Sequence, residues 1–442
     1  MRPISRRLML GGSAVLAVAA TLAACSNGSS SGSENGVYLL NFKPEAEEAL
    51  KTIASAYKDK TGVEVKIVTA ASGTYQQTLQ TEVAKSNPPT IFNINGPVGL
   101  ATWKDYALDL SDTEFVKALT DASMALADEN GVVYGSPLGI EGYGLIYNAA
   151  ILNKYFAMEG AKVKSVDEIK GFAKLKEVVE DMQARKADLG IEGAFACTSL
   201  ASGEDWRWQT HLANYPVFYE FRDKGVTDAK EVDLTYSDNY KQIFDLYLNN
   251  STVAPSAAAA KTVTDSMADF ALGKCAFVQN GNWAWSQISE VEGNTVAEGD
   301  IHFMPIYIGV NGEEKSGIAL GTENYLAVNS QVSETAQKAS IDFLTWLLTG
   351  EGAKMLVDNS VVSVSPYPAF SELTPADPLG KETAEFLANQ ELYPINWVFQ
   401  TFPSQEFKNQ LGSHLAQYAS GKEDWSAVKE YFVSTWKSEK SA

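Results

Sequence analysis

The chain has 442 residues and a formal net charge of −20 at pH 7, an acidity that argues against nucleic acid and anionic membrane surfaces as partners. With 45% hydrophobic and 20% charged residues it has the composition of an ordinary globular protein, long enough for two or three domains. Anionic ligands are disfavoured by the same charge, and neutral ones are unaffected.

Residues 1–24 read as an export signal. Arg2, Arg6 and Arg7 form a basic start, and the apolar run 8–20 that follows is too short for a bilayer span, which needs about 20 residues. The run Leu22-Ala23-Ala24-Cys25 resembles a bacterial lipobox. That resemblance implies that Cys25 becomes the lipidated first residue of a protein held on the extracytoplasmic face of the cell membrane. The stretch SRRLML at 5–10 also resembles a twin-arginine signal, so both export routes stay open. Residues 25–36 then form a lipidated flexible tether, since SNGSSSGSEN has nothing to bury. Its GSSSG matches the hydrolase elbow in letters only, because that elbow needs a strand before it and a helix after. Cys197 and Cys275 lie in apolar segments; a disulfide and two buried thiols are both open.

The mature chain begins with a strand at 37–42 (VYLLNF). Pro44 opens a helix where its missing N–H costs nothing. Ala46, Leu50, Ile53, Ala54 and Tyr57 continue it at helical spacing. Strand 63–68 alternates, helix 74–86 carries Tyr75, Leu79 and Val83 on one face, and Asn87-Pro88-Pro89 stops it before strand 90–94. This β-α-β-α-β order predicts parallel strands with loops on one rim. Lys43 and Asn95 sit in those loops, where they are suited to hydrogen-bonding hydroxyls. Glycine-rich 131–148 suits a hinge and lacks the dinucleotide fingerprint. A long amphipathic helix at 166–186 precedes a strand at 193–198, and then Trp206, Trp208 and His211 stand in a polar segment (GEDWRWQTHLANY). Aromatics in such a segment are candidates to face a ligand.

The segment 265–285 (DSMADFALGKCAFVQNGNWAW) predicts a helical turn or two, a buried strand and a turn that delivers Trp283 and Trp285. In an open α/β sheet, ligands bind at such strand ends. A strand is predicted at 301–308, returning to the first lobe, and helices at 335–348 and 424–436.

The run GKCAFVQNGNWAWSQI resembles the sugar-stacking segment of maltose-type solute-binding proteins of ABC importers, with Asn282 where the maltodextrin binders have Pro. Four more stretches are similar to that family: GVVYGSPLGIEGYGLIYN, GIALGTENYLAVN, FLTWLLTGEGAKMLVD and YPINWVFQTFPSQEF. The resemblance implies an α/β, two-lobed periplasmic-binding-protein-like fold of type II. Each lobe would be a central mostly parallel sheet flanked by helices, and the chain would cross between lobes three times. It places lobe 1 at 37–140 plus 318–360 and lobe 2 at 141–317 plus 361–442. It implies Trp283 as a stacking residue and Trp397 as a second, with Asn396 beside it. Glu141, Tyr143, Glu323 and Asn324 would lie at the cleft, and Tyr367 at the third crossing. With Lys43, Asn95, Trp206 and Trp208 these form the expected binding set. The implied partners are an oligosaccharide and the transmembrane subunits of an ABC permease, with a monomer expected. Three Trp-bearing segments suit two to four sugar units better than one.

His211, His302 and His414 are far apart in sequence, without metal-ligand spacing, so neither a metal nor a cofactor is expected. Glu141 and Glu323 are formally able to act as the paired carboxylates of a secreted glycoside hydrolase or lyase. A glycerol-phosphate ligand would want a basic cluster, for which Lys43 and Arg207 are the candidates. A surface adhesin is a further alternative.

Overall fold

The computed structural model describes residues 36–71 and 73–441. The export signal, Cys25 and the tether up to residue 35 lie outside the described residues. No helix among the described residues is long and apolar enough to cross a membrane.

Strands β1 (Val37–Asn41), β2 (Val65–Thr69), β3 (Ile91–Asn95), β4 (Leu126–Ala127), β5 (Val133–Pro137), β6 (Glu141–Asn148), β7 (Phe277–Gly281), β8 (Ile301–Met304), β9 (Ser316–Gly321), β10 (Asn324–Val328) and β11 (Tyr393–Asn396) form two sheets. The first has the order β2-β1-β3-β10-β5-β4. The second runs β11-β9-β6-β7, with β8 pairing β6 beyond the end of β9. Both sheets are covered on both faces, as period-2 alternation requires. Val37 and Leu39 enter one core of the first lobe while Tyr38 and Leu40 enter the other. Tyr143, Leu145 and Tyr147 divide in the same way from Ile146 in the second lobe.

The α/β two-lobed architecture is as read from the sequence, but the pairing within the sheets needs correction. In the first, β1 pairs β2 and β3 in parallel, while β10 pairs both β3 and β5 antiparallel. In the second, β7, β8 and β9 all run antiparallel to β6, and only β11 is parallel to its neighbour β9. The cause is topological. β6 and β10 each enter their sheet from the other lobe, so each runs away from the boundary while the strands beside it run toward it. The reversed β6 accounts for all three antiparallel pairings of the second sheet; in the first, β10 accounts for two, and β4 pairs β5 antiparallel as well.

Two crossings also fall later than the sequence suggested. The whole of β9 belongs to the second sheet, so the chain passes back at residues 322–323, not 317–318. Val361, Val362, Tyr367 and Phe370 still pack in the first lobe, and Leu379 is the next residue in a core of the second. The strand expected at 301–308 ends at Met304, because Pro305 has no N–H for the ladder, although Ile306 and Ile308 stay buried. It pairs with β6 inside the second lobe. The strand expected at 193–198 survives as bridges from Phe195 to Ser251 and Phe277.

Cys197 and Cys275 are buried and unpaired. Burial pushes both thiols up, Cys197 to about 11, which leaves them unreactive.

Glu313 is buried and ties three parts of the second lobe together. Its Oε1 accepts from the Phe172 N–H at 2.7 Å, the first amide of helix Phe172–Ala184. Its Oε2 accepts from Ile308 and Gly309 at 2.7 and 2.8 Å. Replacing Glu313 by Ala leaves three amides without an acceptor, so Glu313→Ala is expected to destabilise the protein by about 3 kcal/mol or more. Urea unfolding followed by circular dichroism checks this, and an unchanged midpoint contradicts it.

Candidate functional site

A cavity of about 580 Å³ lies between the lobes. The first lobe contributes the turn after β1, the start of helix Tyr75–Val83 and the ends of β3 and β10. The second contributes residues 203–211, helices Val263–Ala271 and Ala284–Ser289, and the start of helix Gln405–Ala419. At one mouth the lobes meet backbone to backbone: a Cβ on Gly73 would stand 2.8 Å from the Gly203 carbonyl oxygen. Across the cleft Lys43 forms an ion pair with Glu141, with Glu45 at 3.9 Å. Burial opposes the Lys43 charge, but Glu141, Glu45 and Glu323 outweigh it and hold its pKa above the usual range. The turn that aims Lys43 is fixed by Asn41, whose Oδ1 accepts from the Lys43 amide at 2.9 Å.

Two tryptophans are seated where two side chains are missing. β7 ends at Gly281 and β9 at Gly321, against Tyr143 and Glu141 at the start of β6. A Cβ on Gly281 would fall 2.1 Å from the Trp283 ring, and one on Gly321 would fall 2.5 Å from that of Trp397. The Trp283 indole therefore sits over the last glycine of β7, the strand it follows, and the Trp397 indole over the last glycine of β9, the strand beside its own β11. Asn282 replaces the prolyl turn of the resembling family with hydrogen bonds. Its amide donates to Gly142 O and its Oδ1 accepts from Gly142 N, both at 3.0 Å, and its Nδ2 donates to Ser363.

Between the indoles stands His211, with ring centroids 5.9 Å from Trp283, 5.1 Å from Trp397 and 4.4 Å from Tyr143. It is carried by a π-helix, Arg207–Leu212, a wide turn often found at functional sites. This turn exposes Arg207, Gln209, Thr210 and His211 to the cavity while Trp208 and Leu212 pack inward. Trp206, at its start, stands 5.9 Å from Trp283. Its face carries the Arg207 guanidinium at 3.8 Å, and Nε of Arg207 donates to Asn280 at 3.1 Å.

Of the twelve expected side chains, Lys43, Asn95, Glu141, Trp206, Trp283, Glu323 and Asn324 line this cavity. Five do not. Tyr143 is fully buried beneath His211, its hydroxyl donating to Gln279 at 3.3 Å. Trp397 is also behind His211 and 7% exposed, so it supports the aromatic floor without forming its surface. Trp208 is core, its indole N–H donating to Thr198 O at 2.9 Å. Tyr367 is inside the first lobe, bonded to Ser136 and to Pro137 O. Asn396 points to solvent at the end of β11, and its carbonyl accepts from Asn214.

The expected set also omitted several lining residues: Arg207, His211, Asp205, Gln287 and Lys408. Lys408 had a readable signal, since it lies at i, i+3, i+7 with Leu411 and Leu415 on the buried face of its helix. A lysine in an apolar stripe needs a reason.

The cavity wall carries polar atoms with no partner among the described residues: Asn95 Oδ1, Asn324 Oδ1, Gln287 Oε1 and both ring nitrogens of His211. Burial, then Arg207 and Lys408, push His211 far below its usual pKa, so it is neutral. Burial lowers Arg207 to about 10 against the pull of Tyr143, Glu204 and Glu45, which leaves it charged at neutral pH. Burial raises Asp205 to about 6.

A sequence profile described as bacterial extracellular solute-binding protein matches residues 52–383. Among solved structures, the chain is similar to a chitin oligosaccharide binding protein, with TM-score 0.72, 18% identity, and 93% of this chain and 100% of that one covered. It is similar to RafE in complex with raffinose at TM-score 0.69 and 16% identity, covering 92% and 99% of the two chains. For a maltose-bound protein of T. maritima the values are 0.67 and 16%, covering 91% and 99%. These are two-lobed solute-binding proteins, and the likeness is one of fold. No curated protein matches significantly.

The Asp205 carboxyl gives a pH prediction. Its folded-state pKa is raised from 3.8 to about 6, so its burial costs nothing below pH 4 and costs more as pH rises through 6. Asp205→Asn is therefore expected to match the parent near pH 4 and to exceed it in stability by up to about 3 kcal/mol at pH 7. Thermal melts at several pH values check this; a constant difference contradicts it.

Proposed function

The chain belongs to the bacterial extracellular solute-binding protein family, and from that premise we propose that it captures an oligosaccharide of two to four sugar units in the interlobe cavity and delivers it to an ABC importer. The observation that carries this reading is the cavity wall itself. Trp206 and Trp283 both line it, 5.9 Å apart, and around them stand polar atoms that have no partner. A pyranose has the matching surface: an apolar face of C–H groups ringed by hydroxyls that both donate and accept. A volume of about 580 Å³ lies inside the range of small-molecule sites, about 300–1,000 Å³. The solved structures of similar fold include proteins holding raffinose, stachyose and maltose, which supports a sugar ligand. Closure of the two lobes buries the ligand, and the closed form docks on the permease as a monomer, with Cys25 anchoring it to the membrane.

The protein acts by binding and not by cleaving. Glu141, one of the two carboxylates that a hydrolase would need, is committed to Lys43. Glu323 is raised by burial but has no such free partner within the set read from the sequence. Glycerol phosphate is disfavoured because the cavity's carboxylates, Glu45, Glu141, Glu204, Asp205, Glu290 and Glu323, outnumber its cations Lys43, Arg207 and Lys408. Incubation with oligosaccharides is expected to return them uncleaved.

Calorimetry against a panel of di- to tetrasaccharides is expected to find micromolar or tighter binding to at least one, with quenching or enhancement of tryptophan fluorescence. Gly281→Ala pushes Trp283 off its seat. It is expected to weaken that binding about five- to ten-fold, the worth of one stacking contact of about 1–1.5 kcal/mol, while the far-ultraviolet circular dichroism stays unchanged. Parent-like affinity in this variant contradicts the role given to Trp283.

A further inference from the structure

Lys408 and Arg207 are almost wholly buried, at 5% and 3% exposure, and both line the cavity. Among the described residues neither forms an ion pair with a carboxylate; Nε of Arg207 donates to Asn280 instead. The Lys408 ammonium stands over the Phe399 ring at 5.7 Å. On the same wall, the Glu323 carboxylate is also without an ion-pair partner among the described residues. Lys408 and Glu323 nevertheless line one cavity, and there each charge favours ionisation of the other. Burying one uncompensated charge is costly, and burying two of opposite sign without contact forfeits the attraction that would offset the cost. Lys43 and Glu141, a few residues away across the cavity, do make contact.

We propose that Lys408 and Glu323 are the two halves of an ion pair that the fold holds open, and that a hydroxyl group of an uncharged sugar closes it. This deepens the oligosaccharide reading above and rests on it. A hydroxyl is the ligand group that serves both sides: its oxygen accepts from the ammonium while its hydrogen is donated to the carboxylate. A ligand carboxylate or phosphate would satisfy Lys408 and be repelled by Glu323; a ligand ammonium would do the reverse. His211 lines the same cavity, near enough to Arg207 and Lys408 to feel both charges, and its two unpartnered ring nitrogens, one donor and one acceptor in the neutral ring, suit another hydroxyl of the same sugar. The subsite thus selects neutral sugars over uronates and hexosamines.

The test is calorimetry on the full chain with maltotriose, raffinose and stachyose as neutral probes and trigalacturonate as the anionic one. Lys408→Met, Glu323→Gln and the double variant are compared on the tightest neutral probe. Each single change is expected to weaken binding about ten-fold or more, as loss of a hydrogen bond to a charged group does. The double variant is expected to lose little beyond the worse single one, because both residues hold the same hydroxyl. Trigalacturonate is expected to bind at least ten-fold more weakly than that probe. The ligand-free Lys408→Met protein should melt at or above the parent, since it exchanges an unpaired buried charge for a thioether of similar size. Parent-like affinity of either single variant, additive losses, tighter binding of trigalacturonate, or a lowered melting temperature for Lys408→Met would each overturn the proposal while leaving the oligosaccharide reading intact. Failure of the parent protein to bind any of the four probes overturns both.

Discussion

Two absent side chains determine the floor of the cleft. Gly281 and Gly321 end neighbouring strands on either side of the start of β6, and an indole occupies the space over each. Any larger residue at these positions would displace the ring by more than the packing could absorb. Because β6 is the strand that enters from the other lobe, the two seats fall at the boundary between lobes. His211, wedged against both rings, then has neither room nor a charged form, and it presents its nitrogens as fixed neutral groups. The aromatic floor, the π-turn that carries His211 and the interlobe strands therefore depend on one another.

Around this floor the protein tolerates a polar load that a closed core would not accept. Unpartnered amide oxygens, a buried guanidinium and a buried ammonium all face the same space. In a structure whose buried polar groups are ordinarily satisfied, such a concentration marks a surface made for another molecule. The contrast with Glu313 is instructive. That carboxylate is equally buried, but three amides satisfy it, and its role is to hold the lobe together.

Much of the fold was legible in the chain. The apolar run in residues 37–42, the alternation in 63–68, the apolar stripe through Leu50, Ile53 and Tyr57, and the stop at Asn87-Pro88-Pro89 are local signals, and the structure follows them. The segment ending in Asn280-Gly281-Asn282-Trp283 was legible in its order of helix, strand and ring, but β7 runs through Asn280 and Gly281, where a turn was expected. What could not be read depends on partners distant in sequence. Whether β9 pairs in the first sheet or the second is decided by β6 and β11, so the crossing points were misplaced. Trp208 and Trp206 are two residues apart in one polar segment, and only the π-turn decides that one faces inward and the other the cavity. Trp397 was expected as a second stacking ring, and its place behind His211 follows from a contact nearly two hundred positions away. Lys408 carried a local sign, a charge within an apolar stripe, that propensity alone does not interpret.

The measurement that bears most directly on the central claim is a crystal structure of the chain with a bound di- to tetrasaccharide. The account predicts a pyranose face resting on Trp206 and Trp283 between the lobes, with its hydroxyls on Asn95, Asn324 and Gln287. A sugar found outside the cleft, or one inside it that leaves both indoles untouched, would contradict the account.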